Sequence, residues 1–186
     1  FDRSTESLPM EYPTYGSADL RTPAFHAEYE SGSAVTCLSY CGYAIYPGKK
    51  SLDGLPATYV ESDSEADTLE ITLADSLNGL KIILSYSVFE DYDIITKSVH
   101  AVNEGAQPID VQSILSSTTY LFDKNYEFVH LTGAWARERH IQKQPLMNGT
   151  MQIDSKRVAS GHIHSPFLAL ARPWATENQG EVYGYS

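Results

Sequence analysis

The chain has 186 residues, of which 42% are hydrophobic and 20% charged, and its net charge is -11. That balance belongs to a folded, soluble chain and not to a disordered one. The acidic surplus excludes nucleic acid and anionic membrane as partners, since no Lys/Arg cluster with interleaved aromatics offsets it, and no apolar run approaches the ~20 residues of a membrane-spanning helix.

Residues 1–21 contain Pro9, Pro13 and several turn formers, and are expected to form an extended segment ahead of the core strands. Phe1-Asp2-Arg3-Ser4 has neither a basic nor an apolar stretch, so it does not read as a signal peptide. It has no initiator Met, and Glu181 to Ser186 ends in a strand-like pattern. The expectation is a piece truncated at both ends.

Ala24 to Tyr29 and Ala34 to Tyr46 flank Glu30-Ser31-Gly32-Ser33, a hairpin signal. Cys37 and Cys41 lie in the second of these runs. On one strand they would stand about 13 Å apart, beyond the roughly 7 Å Cα separation that a disulfide spans. They are expected as free thiols on one side of a strand, which favours a reducing, cytoplasmic location. The acidic run Glu61 to Asp67 reads as a solvated loop.

The dominant period is two. Leu69, Ile71 and Leu73 alternate with Glu70, Thr72 and Ala74; Leu80, Ile82, Leu84, Tyr86 and Val88 resume after Asn78-Gly79, which marks a hairpin. Asp91-Tyr92-Asp93 reads as a turn, and Ile94 to Val102 as the next strand. Pro108 to Leu121 reads as a long strand, with later ones at Tyr126 to Thr132, Phe167 to Ala171 and Glu181 to Tyr185. The best helical candidate, Trp135 to Lys143, is short and polar. Short strands about ten residues apart make a β-sandwich or barrel, here read as one domain over 1–186.

Each candidate for chemistry has a simpler role. Glycoside cleavage needs two carboxylates flanking one bond, but Asp91 and Asp93 suit turn capping. His162 and His164 have metal-ligand spacing on an extended segment, yet no third ligand is evident. Gly-x-Ser-x-Gly and phosphate-binding glycine loops are absent. The 13 tyrosines, with Trp135 and Trp174, could stack on sugars, but tyrosine is also a favoured strand residue. Arg137-Glu138-Arg139-His140 reads as a salt-bridged loop. Asn148-Gly149-Thr150 has the form of a glycosylation acceptor. No cofactor or metal is expected.

Several stretches resemble one family in order along the chain. They are Glu11-Tyr12-Pro13-Thr14-Tyr15-Gly16 with Asp19 to Ala24; Gly54-Leu55-Pro56-Ala57-Thr58-Tyr59; and Thr68-Leu69-Glu70-Ile71 with Ile95-Thr96-Lys97-Ser98. The others are His130-Leu131-Thr132-Gly133-Ala134-Trp135-Ala136-Arg137-Glu138-Arg139, and Asn178 to Ser186. The chain resembles the N-terminal domain of family 36 α-galactosidases. Around Ser160 to Phe167 it departs, with Ser165 standing where the family carries Asn.

The resemblance implies an all-β fold, an antiparallel β-supersandwich of galactose-mutarotase-like architecture. In the family this domain precedes a catalytic (β/α)₈ barrel, none of whose motifs occurs here. It further implies a retaining enzyme acting on terminal α-1,6-galactosides such as melibiose, raffinose and stachyose. The domain itself would be non-catalytic, contributing to the subunit interface of a homo-oligomer (a tetramer) and to outer substrate subsites. Arg3 corresponds roughly to a family Arg that contacts substrate, so it is the one substrate-binding candidate. The alternative is a stand-alone carbohydrate-binding or structural β-sandwich module.

Overall fold

The structure is a computed structural model that describes residues 8–16, 21–54, 57–154 and 161–186. The chain forms two compact units, Phe1–Tyr120 and Leu121–Ser186.

In the first unit, alternation builds a four-stranded antiparallel meander. Its strands are β2 (Ser39–Pro47), β3 (Asp67–Asp75), β4 (Leu80–Phe89) and β5 (Ile94–Asn103), in spatial order β2-β3-β4-β5. Strands β3 and β4 pair from Asp67 opposite Val88 to Asp75 opposite Leu80. This is the hairpin expected from Asn78-Gly79. Gly79 has φ of 67°, and an added Cβ would lie 2.6 Å from the Gly105 backbone, so only glycine fits. The Asp75 carboxylate accepts hydrogen bonds from the amides of Leu77 and Asn78 and closes the turn.

The second layer is the pair β1 (Phe25–Tyr29) and β6 (Ile109–Ile114). Phe25, Ala27 and Tyr29 pack against Leu80, Ile82 and Leu84, with Leu38, Ile71, Leu73 and Val99 at the margin. Two sheets bury facing apolar sides, which is the physical basis of a sandwich. The N-terminal segment joins this core. Tyr12 is buried and donates to the Leu115 carbonyl at 2.9 Å, and Thr14 bridges to Phe25.

Two expectations need correction here. The Glu30–Ser33 signal does form a tight turn, through Gly32 N–H to the Tyr29 carbonyl at 2.8 Å. It does not form a hairpin, because β1 pairs with β6 while β2 pairs with β3. The chain passes from one layer to the other after this turn, and β1 turns Phe25, Ala27 and Tyr29 inward. The long strand expected to reach Leu121 ends at Ile114.

The second unit is one four-stranded antiparallel sheet, ordered β10-β9-β7-β8. It comprises β7 (Glu127–Ala134), β8 (Arg137–Pro145), β9 (His164–Ala171) and β10 (Val182–Tyr185). Trp135 to Lys143 is therefore not helical. It forms the tip of the β7–β8 hairpin and most of β8. Gly133 has no room for a side chain, since an added Cβ would meet the Arg137 carbonyl, and Ala136 (φ 62°) and Arg139 (φ 60°) take the left-handed conformation that the tight hairpin demands. Every residue of β8 is exposed, whereas Phe128, Ala169 and Ala171 on β7 and β9 are buried.

Candidate functional site

The carboxylates of the acidic segments take structural positions. Residues Glu90–Tyr92 form a 3-10 turn, and Asp93 follows in the left-handed conformation (φ 53°) with its N–H bonded to the Glu90 carbonyl. Asp91 and Asp93 thus serve the β4–β5 turn. Within the acidic run, Ser62 and Glu65 form a reciprocal cap around Asp63–Glu65.

The cysteines are free and exposed, but they do not share a strand. Cys37 precedes β2, and its amide donates to Asp75 at 3.0 Å. Cys41 is the extra residue of a bulge between Tyr40 and Gly42.

The expected His162 and His164 pair on one extended face is not formed, because the strand begins only at His164. Instead His164 lies near His130, with ring centroids 6.1 Å apart, and neither buried Nδ1 atom has a hydrogen-bond partner among the described residues. No group of three His, Cys, Asp or Glu suited to a metal occurs among the described residues. Arg3, the substrate-binding candidate, lies outside the described residues. Asn148 is exposed and accepts from Lys124 at 2.9 Å.

The densest polar constellation centres on Arg172, which sequence reasoning missed. Its guanidinium forms a fork onto Asp123, at 2.7 and 3.1 Å, and donates through Nε to Glu181 at 2.9 Å. It also donates to the Asn125 carbonyl, and its plane lies 3.9 Å from the centroid of Tyr126. Tyr126 in turn donates to Glu181 at 2.8 Å.

A bidentate fork stacked on a ring fixes the planar cation on several sides. Hydrogen bonding to Arg172 lowers the Asp123 carboxyl. Bonds from Tyr183, Arg172 and Tyr126 lower Glu181, while burial and then the Glu181 bond push the Tyr126 phenol up to about 12. All of Arg172's polar groups are thereby engaged with the loop before β7 and the start of β10, so the cluster is a clasp of the second unit. The signal available in the sequence was Arg172 directly after the apolar run Phe167 to Ala171.

Replacing Arg172 with alanine is expected to lower the melting temperature at pH 7, with a smaller loss at pH 3. The sign follows from the lowered carboxyls. Their contribution is present above the ordinary carboxylate range of about 4 and disappears as pH falls through the depressed values. Equal losses at the two pH values would contradict the clasp.

The comparisons place this geometry in a family. The model of the glycosyl hydrolase family 36 N-terminal domain matches residues 2–186. The chain is 45% identical over 183 residues to α-galactosidase AgaA of Geobacillus stearothermophilus, covering 98% of this chain and 25% of that protein. It is 40% identical to a probable α-galactosidase C of Aspergillus flavus, covering 95% of this chain and 23% of that one. Among solved structures, an AgaA variant in complex with raffinose superposes with a TM-score of 0.94, covering 98% of this chain and 25% of that one at 45% identity. The α-galactosidase of Lactobacillus brevis gives 0.93 at 39% identity, covering 97% and 24%. The chain spans about a quarter of the length of these relatives. Its all-β antiparallel sandwich is the fold of their N-terminal domain, and the chain belongs to the glycosyl hydrolase family 36 N-terminal domain family.

Proposed function

We propose that this chain is the N-terminal, non-catalytic β-sandwich portion of a retaining α-galactosidase that hydrolyses terminal α-1,6-galactosides. The observation that carries this reading is the match of residues 2–186 to one domain of relatives that are α-galactosidases. The Asp123 carboxylate supports it from the other side, because it is held by the Arg172 clasp. Related enzymes have been solved with raffinose and with stachyose, which makes these trisaccharide and tetrasaccharide galactosides the substrate class proposed here. The proposal includes a homo-oligomer, a tetramer, a cytoplasmic location, and a role for this domain at the subunit interface and outer subsites.

The test is hydrolysis of melibiose, raffinose and stachyose by the full-length polypeptide of the gene, alongside the 186-residue chain. The full-length protein is expected to release galactose with the α-configuration preserved, followed by NMR of the first-formed anomer. The 186-residue chain is expected to release none. Hydrolysis by the chain alone, or failure of the full-length protein on all three sugars, overturns the reading. In the full-length protein, Arg3→Ala is expected to raise KM for raffinose about tenfold with little change in kcat, the signature of lost uniform binding.

A further inference from the structure

The chain carries Asn-Gly twice, at Asn78-Gly79 and at Asn148-Gly149. This dipeptide is prone to lose its side-chain amide, because glycine leaves the following backbone nitrogen without a steric shield. In an unfolded chain the two pairs are chemically alike. The fold holds their amides in opposite orientations.

Asn78 sits in the β3–β4 turn. Its Nδ2 donates to Asp75 Oδ2 at 2.9 Å, and its backbone N–H donates to Asp75 Oδ1 at 3.3 Å. A carboxylate only accepts, so the amide presents its nitrogen here. Gly79 is pinned as well. Its carbonyl accepts from the Glu104 N–H at 2.8 Å, and the Gly105 backbone packs against it. The negative charge of Asp75 opposes the anion through which deamidation passes. The product would also set a second carboxylate against the buried Asp75.

Asn148 lies just beyond β8, where the pairing of Glu127 with Pro145 is continued by the Leu146 N–H to the Tyr126 carbonyl at 3.0 Å. That register brings the segment ahead of β7 alongside, and Lys124 Nζ donates to Asn148 Oδ1 at 2.9 Å. An ammonium only donates, so this amide presents its oxygen. Residues 147–150 have no regular structure, and no backbone hydrogen bond holds Asn148 or Gly149 among the described residues. These contacts lie wholly within the second unit.

We infer that Asn148 is a site of spontaneous deamidation in the folded protein, activated by Lys124, and that the fold protects Asn78 from the same reaction. The Gly149 nitrogen gives up its proton to water and bonds to Asn148 Cγ. The carbonyl electron pair moves onto Oδ1, where the Lys124 ammonium faces the developing charge. The Cγ–Nδ2 bond then breaks, and the nitrogen leaves as ammonia with a proton taken from water. The five-membered imide that remains adds one water at either carbonyl and opens to aspartate or isoaspartate. In sum, an amide and water become a carboxylate and ammonium, with no change of oxidation state. Either product gives Lys124 an ion-pair partner, and isoaspartate also routes the main chain through the former side-chain carbon. Both erase the acceptor of the Asn148-Gly149-Thr150 sequon.

The test is storage of the full-length polypeptide at mildly alkaline pH, native and in denaturant, with peptide mapping by mass spectrometry. Chromatography separates the Asn, Asp and isoaspartyl forms of the two peptides. In the native protein Asn148 is expected to convert about tenfold faster than Asn78, or more. In denaturant the two rates are expected to converge. Lys124→Met is expected to slow conversion of Asn148 about fivefold in the native protein and not in denaturant. Lys124→Arg is expected to keep the native rate, and added salt to shrink the difference made by Lys124→Met. The denaturant arm separates an effect of the fold from one of local sequence. Equal native rates at the two pairs, faster conversion at Asn78, or an Asn148 that stays intact natively while it converts in denaturant overturns the inference. A native Lys124→Met protein that deamidates as fast as the unaltered one overturns the role of Lys124.

Discussion

Replacing Phe25 with alanine is expected to lower the unfolding free energy by about 3–5 kcal/mol, seen as a large fall in the urea midpoint with an unchanged slope. Phe25 is fully buried in β1, between the N-terminal segment and the meander. Its backbone also anchors the layer. Its N–H bonds to the Pro13 carbonyl at 3.3 Å, its carbonyl accepts from Tyr15 at 3.0 Å, and it pairs with Ile114 of β6. Removing the ring leaves a void that the rigid pairing on both sides prevents from collapsing, which places the cost towards the upper part of the range. Domains of this kind are stable by only about 5–15 kcal/mol, so one ring accounts for a large share. A loss under about 1 kcal/mol would show that the two layers repack freely and that the core assignment is wrong.

The second large effect is expected at Asp75. This side chain is 3% exposed and accepts four hydrogen bonds. Oδ1 takes the amides of Leu77 and Asn78, and Oδ2 takes the amide of Cys37 and the Asn78 side chain. It therefore closes the β3–β4 turn and ties the segment ahead of β2 to the same point. Burial pushes its carboxyl up, but the donors from Cys37, Asn78 and Leu77 outweigh burial and hold it below the usual carboxylate range.

Asp75→Ala strands buried amides, and a loss of about 3 kcal/mol at pH 7 is expected. A group with a lowered folded pKa contributes stability above about 4, and that contribution is lost as pH falls through the folded value. The difference between wild type and Asp75→Ala in urea midpoint should thus shrink on going from pH 7 to pH 3. A constant difference would show that the side chain acts by shape and not by charge.

The parts of the fold that were legible are those where burial is one-sided. In the first half of β4 one face is packed, so Leu80, Ile82 and Leu84 stand out by period two. Asn78-Gly79 marked its turn because only glycine tolerates the backbone there. Strand β8 was illegible for the converse reason: none of its residues is buried, so no alternation records its pairing with β7. The partner of β1 was misread because the Gly32 turn is local, while the choice of β6 depends on which layer Phe25, Ala27 and Tyr29 fill.

Of the candidate site, the turn role of Asp91 and Asp93 followed from residue chemistry. The Arg172 clasp did not, since Asp123 and Glu181 lie 49 and 9 residues from it in sequence.

The irregularities in strand pairing have a consequence for how such a domain can change length. Between His130–Leu168 and Thr132–His164, strand β9 carries three residues where β7 carries one. The surplus is two, an even number, so Leu168 and His164 keep the same side. At Cys41 the surplus in β2 is one, an odd number, and this places Tyr40 and Tyr43, three apart, on a common side opposite Leu73 and Ile71. Descendants of this sequence can therefore gain or lose pairs of strand residues without exchanging inside for outside. Single gains are confined to places where a bulge already inverts the parity.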